Sequence, residues 1–157
     1  MTKRLISKVD GVLIPILRRH GIAVLRFSLA TVFVWFGALK VLDVSPVVDL
    51  VASTVYWLDP AWFVPALGVV EVLIGLSLAF RLGLRFALAA LFLQLLGTFL
   101  VFFLQPDVAF HGANPLQLTT VGEFIVKNLV LLAAAVVVGT SVGEAEESIG
   151  SMDEEPA

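Results

Sequence analysis

An all-α fold, a four-helix transmembrane bundle with an N-terminal amphipathic interfacial helix, is what this sequence predicts. Three observations carry the prediction. The first is composition: of 157 residues, 59% are hydrophobic and 15% charged, and the mean hydropathy is +1.02. An ordinary soluble domain is about 45–50% apolar and about 25% charged. A chain this short cannot hide that excess in one soluble core, so part of its solvent is lipid. The second is length: the stretches 21–42, 62–80, 83–104 and 122–142 each approach the ~20 residues that cross a bilayer. The third is the placement of positive charge. Lys3, Arg4, Lys8, Arg18 and Arg19 open the chain and Arg81 and Arg85 flank the link between the second and third stretches, whereas 43–61 and 105–121 carry no Lys or Arg. The positive-inside rule then places both termini and the 81–85 link in the cytoplasm and the two longer loops outside.

The elements follow in order. Residues 1–20 form an amphipathic segment on the cytoplasmic face. Within it Leu5, Val9, Val12, Leu13, Ile16 and Leu17 recur at helical spacing between basic flanks, a pattern suited to an anionic leaflet. A cleaved signal peptide is not expected: the apolar run from Ile22 is too long, and no small-residue cleavage site follows it. Residues 21–142 form the four-helix domain. In its first long loop, Ser45 as N-cap with Pro46 behind it predicts a short interfacial helix. Tyr56, Trp57 and Trp62 suit the headgroup belt there. The second and third spans meet through Arg81-Leu82-Gly83 as a tight hairpin. The tail, 143–157, is acidic and without aromatics, which predicts disorder.

Helices associate in lipid through small residues and polar contacts rather than hydrophobic exclusion. Each span has such a seam at three–four spacing, which keeps residues on one face. The seams are Arg26, Ala30, Phe33, Gly37 and Lys40; Gly68, Glu71, Gly75 and Ala79; Gly83, Ala87, Ala90, Gln94 and Gly97; and Glu123, Lys127, Val130 and Ala134. At ~1.5 Å rise per residue, Glu71 and Gln94 lie ~15 Å deep, Lys127 roughly 9 Å, and Lys40 shallower still. Long side chains can bridge those differences, so Glu71, Lys127, Gln94 and Lys40 form the candidate polar interior cluster. Arg26, nearer the cytoplasmic side, is a secondary candidate.

Each of these residues also has a plainer account. Thr120 as N-cap with Glu123 three positions on is a capping-box pattern, and Glu123 four residues before Lys127 is the favourable order for a helical ion pair. Lys127 can also snorkel toward headgroups. A carboxylate at the depth of Glu71 costs ~3 kcal/mol or more on insertion scales. It therefore calls for either a structural partner, Lys127 or Lys40, or a functional site. His111 is either a solvated loop residue or a ligand or proton shuttle. His20 lies across the membrane from it, so the two cannot share a haem iron. The chain has no cysteine, which excludes disulfides and thiol chemistry. No metal-ligand spacing, phosphate loop or nucleophile motif is present, and no nucleic-acid partner is expected.

The stretches RFSLATVFVWFGALKVL (26–42), LGVVEVLIGLSLAF (67–80) and GEFIVKNLVLLAAAVVVG (122–139) resemble the DoxX-like superfamily, most closely its YkgB-like branch of bacterial inner-membrane proteins. The resemblance rests on Trp-x-Gly-x-x-Lys in the first span, Leu-Gly-Val-Val in the second and Gly-x-x-x-x-Lys in the fourth. Glu71 departs from the YkgB-like pattern, where an apolar residue is expected. The resemblance implies a four-helix inner-membrane bundle associated with redox or oxidative-stress systems. Three functional expectations follow: an accessory membrane component of such a system, acting with redox partner proteins or as a homo-oligomer; a quinone-interacting oxidoreductase subunit; or a small-solute or proton pathway. No cofactor motif lies within the chain, and quinone is the cofactor to consider.

Overall fold

The computed structural model describes residues 2–112 and 114–153, with side chains described for 11, 14–112 and 114–141. Its helices are α1 (Thr2–Val41), α2 (Val48–Thr54), α3 (Pro60–Phe80), α4 (Leu84–Thr98), α5 (Val101–Leu104), α6 (Pro106–Ala109) and α7 (Thr120–Asp153). Four segments are long and apolar enough to cross a membrane: Ile14–Val41, Pro60–Phe80, Leu84–Leu104 and Thr120–Ser141. They close a ring in which α1 packs on α3 and α7, and α4 packs on α3 and α7. The ring has a loop-bearing end, where 42–59 and 105–119 cluster, and an opposite end that holds the 81–83 link.

Local chemistry sets the helix ends. Lys40 lies in the last turn of α1, where a cation meets the negative end of the helix dipole. Asp43 then turns left-handed, at φ 56°. At the start of α3, the Asp59 carboxylate accepts from the Ala61 N–H at 3.0 Å and Pro60 occupies the first helical position, where its missing N–H costs nothing. Arg81 and Gly83, at φ 60° and 55°, reverse the chain between α3 and α4 as the expected hairpin.

Several boundaries differ from expectation. The first span and the N-terminal segment form one helix, unbroken at Gly11 and Pro15. Forty residues make it ~60 Å long, about twice the hydrocarbon thickness. The side chains of 2–10, 12 and 13, on which the amphipathic pattern rests, lie outside the described residues. The third span breaks after Thr98. There the Phe99 and Leu100 N–H groups donate to Leu96 and Gly97 at 3.1 Å each, a tightening natural to a helix end. In the first loop the helix starts at Val48, with Val47 rather than Ser45 as its cap. At the other end, α7 runs past 142 to Asp153, so 143–153 continue as helix where disorder was expected. The run Glu144-Ala145-Glu146-Glu147 consists of good helix formers. Residues 154–157 lie outside the described residues.

Two apolar clusters divide the interior. The larger fills the end near the hairpin link, with Leu29, Phe33, Leu78, Leu91, Ala135 and Val138 buried from all four spans. The smaller, at the loop-bearing end, is built on Val101, Ala109 and Ile125. Large apolar side chains cover the outside: Phe86, Phe103, Leu93 and Phe80 are 69–85% exposed. This is the surface of an integral membrane protein.

Candidate functional site

The site starts from two glycines. A Cβ on Gly37 would lie 2.6 Å from the Gly68 carbonyl oxygen, and one on Gly68 would lie 2.7 Å from that of Gly37. Only glycine at both positions lets α1 and α3 approach so closely, the small-residue contact that lipid-embedded helices favour. Gly75 extends the seam against Ala30 and Val34. Lys40 and Glu71 each stand three residues beyond one of the paired glycines, on the same helix face. The backbone contact therefore delivers them to each other.

The Lys40 ammonium donates to both carboxylate oxygens of Glu71, Oε1 at 2.6 Å and Oε2 at 2.5 Å. Both residues are 6% exposed. The Gln94 amide nitrogen donates to Glu71 Oε1 from α4, so three helices meet on one carboxylate. Of the sequence-level candidates Glu71, Lys40, Gln94 and Lys127, the structure joins the first three by hydrogen bonds. Between the two expected partners of Glu71, Lys40 is the one that pairs. Such a pair is not a cheap source of stability, since dehydrating two ions offsets much of their attraction. Its physical consequence is different: either residue alone would be a strongly destabilising charge.

The trio forms part of the wall of a cavity of about 790 Å³, within the ~300–1,000 Å³ range of small-molecule sites. The lining is mainly Val, Leu, Ile and Phe from α1, α2, α3, α4 and α7. Both apolar clusters contribute to it, Phe33 and Leu95 from the larger and Val101 and Ile125 from the smaller. Lys127 also lines the cavity but is exposed, at the edge of the site rather than within the hydrogen-bonded group.

Sequence reading missed two polar residues here. Asn128, 8% exposed, donates to Thr98 Oγ1 at 2.9 Å, and both line the cavity. The inward face of α7 is Ile125, Asn128, Ala134, Ala135 and Val138; of the expected seam Glu123, Lys127, Val130 and Ala134, only Ala134 is buried, and the other three are exposed. The charges at 123 and 127 drew the expected seam toward the exposed edge of that face. The usable signal was Asn128 at three–four spacing with small Ala135.

The secondary candidates lie apart. Arg26 donates to the Leu78 carbonyl and, at 2.8 Å, to that of Ala79, capping the end of α3. Its guanidinium stands 4.6 Å above the Phe27 ring. Glu123 closes no capping box. The cap is Thr119, whose Oγ1 accepts from the Gly122 N–H at 3.2 Å, which puts Glu123 one position too late. His111 is exposed in the 105–119 loop, where its backbone N–H donates to the Gln117 carbonyl at 2.7 Å. Among the described residues no group of three His, Cys, Asp or Glu could hold a metal ion.

No curated protein and no solved structure matches the chain. The DoxX family profile matches residues 21–104, more than half the chain. That segment contains the α1–α3 glycine contact and the whole Lys40–Glu71–Gln94 group. This integral membrane protein belongs to the DoxX family.

Proposed function

We propose that the protein is a membrane-embedded binding component that holds a lipid-soluble molecule in its interior cavity, as an accessory part of a redox or oxidative-stress system. The observation that carries the binding reading is the 790 Å³ apolar cavity with the hydrogen-bonded Lys40–Glu71–Gln94 group in its wall. Apolar walls with a few convergent polar groups suit a ligand with a greasy body and a polar end. The ammonium of Lys40 has three donors, two of them engaged by Glu71, so a third is available to orient a carbonyl. Quinone is the first ligand to test. The redox role rests on the resemblance seen in the sequence, as do redox partner proteins. The distribution of Lys and Arg supports an inner-membrane orientation with both termini cytoplasmic.

The test is ligand retention. Native mass spectrometry of the full chain released from gently solubilised membranes should show a bound lipid-soluble species. Ala90→Trp, which fills the cavity from α4, should abolish it. Equal retention by wild type and variant, or none by either, would refute the reading.

A transmembrane proton or solute pathway is less well supported. The buried apolar cluster around Leu29, Phe33, Leu78 and Leu91 lies between Glu71 and the hairpin-link end.

A further inference from the structure

The charges facing the cavity do not cancel. Lys40 and Glu71 neutralise each other, which leaves Lys127. It lines the same cavity and forms no ion pair among the described residues. Glu123, one turn earlier on α7, is exposed as well and does not reach it. Lys127 stands seven residues after Thr120, so ~10 Å along the helix. An ammonium at that depth is costly against hydrocarbon unless it snorkels to the headgroups or pairs with a group beside it.

The cavity also reaches the bundle surface beside Lys127. Phe124 and Val130, on the same helix, line it and yet are 47% and 70% exposed. In a membrane that surface meets acyl chains rather than water, so the opening is lateral.

We propose that the cavity takes an amphiphile with an acidic head, entering sideways from the bilayer, its tail among the apolar walls and its anionic group on Lys127. A long-chain carboxylate is the simplest member of the class. The inference rests on the reading that the cavity holds a lipid-soluble molecule, and it names the head group. An ammonium only donates. Charge-assisted bonds to a carboxylate are roughly twice as strong as those to a neutral oxygen, and only an anion removes the unpaired charge.

The experiment uses the full chain in nanodiscs of zwitterionic lipid at alkaline pH, with palmitate, hexadecanol and decylubiquinone as probes. Palmitate should bind at least about tenfold more tightly than either neutral probe. Lys127→Met should erase that preference while hexadecanol binding persists, which also shows that the variant is folded. Glu123→Gln should retain the preference. Equal binding of palmitate and the neutral probes, or a preference that survives Lys127→Met, would overturn the acidic-head inference and leave the cavity reading standing. Binding of none of the three would remove both.

Discussion

Thr119 and Asn128 contribute more than their neighbours Glu123 and Lys127 suggest. Thr119 caps α7 through Gly122 and also donates to the Val108 carbonyl. Thr119→Ala should therefore cost about 1 kcal/mol or more, while Glu123→Gln should change stability by less than about 0.5 kcal/mol. Thermal unfolding in detergent compares the two. Asn128→Ala removes the bond to Thr98 and should cost about 1 kcal/mol in the same assay. At this scale the interior pair was legible: Glu71 and Lys40 were ionisable residues on small-residue faces, and depth allowed them to meet. The choice of Lys40 over Lys127 was not legible, because a one-dimensional pattern does not say which helices touch. The role of Asn128 was hidden because neutral polar residues announce themselves less than charged ones.

The elements depend most on the α1–α3 crossing. Gly37→Ala should destabilise the bundle, because its new methyl group meets the Gly68 backbone, which cannot move out of the way as a flexible side chain would. Gly97→Ala meets nothing within 4 Å and should be neutral or stabilising by up to about 1 kcal/mol. A larger loss for Gly97→Ala than for Gly37→Ala would contradict this account of the packing. The existence and lengths of the four spans were plain from hydropathy. Their precise ends were not. The break after Thr98 and the shift of the α7 cap depend on hydrogen bonds to Leu96, Gly97 and Gly122 that a hydropathy window does not register.

At the scale of the whole molecule, the bundle has an apolar-packed half and a cavity half. The native chain has no cysteine, so single cysteines report topology without background. With both termini cytoplasmic, as proposed, Leu116→Cys in the 105–119 loop should react with an impermeant maleimide in intact cells, and Leu82→Cys in the hairpin link should react only after lysis. Both sites are exposed, at 89% and 65%. The reverse pattern would invert the orientation. The deeper claim is that ionisable side chains inside the bundle are held by each other rather than turned toward lipid. Its most direct test is a double-mutant cycle on Lys40→Met and Glu71→Leu, followed by reversible unfolding in detergent. Each single change strands a buried partner and should cost about 3–5 kcal/mol, with the double variant recovering most of that loss. Single losses that simply add, within about 0.5 kcal/mol, would mean that the two residues do not face each other in the membrane.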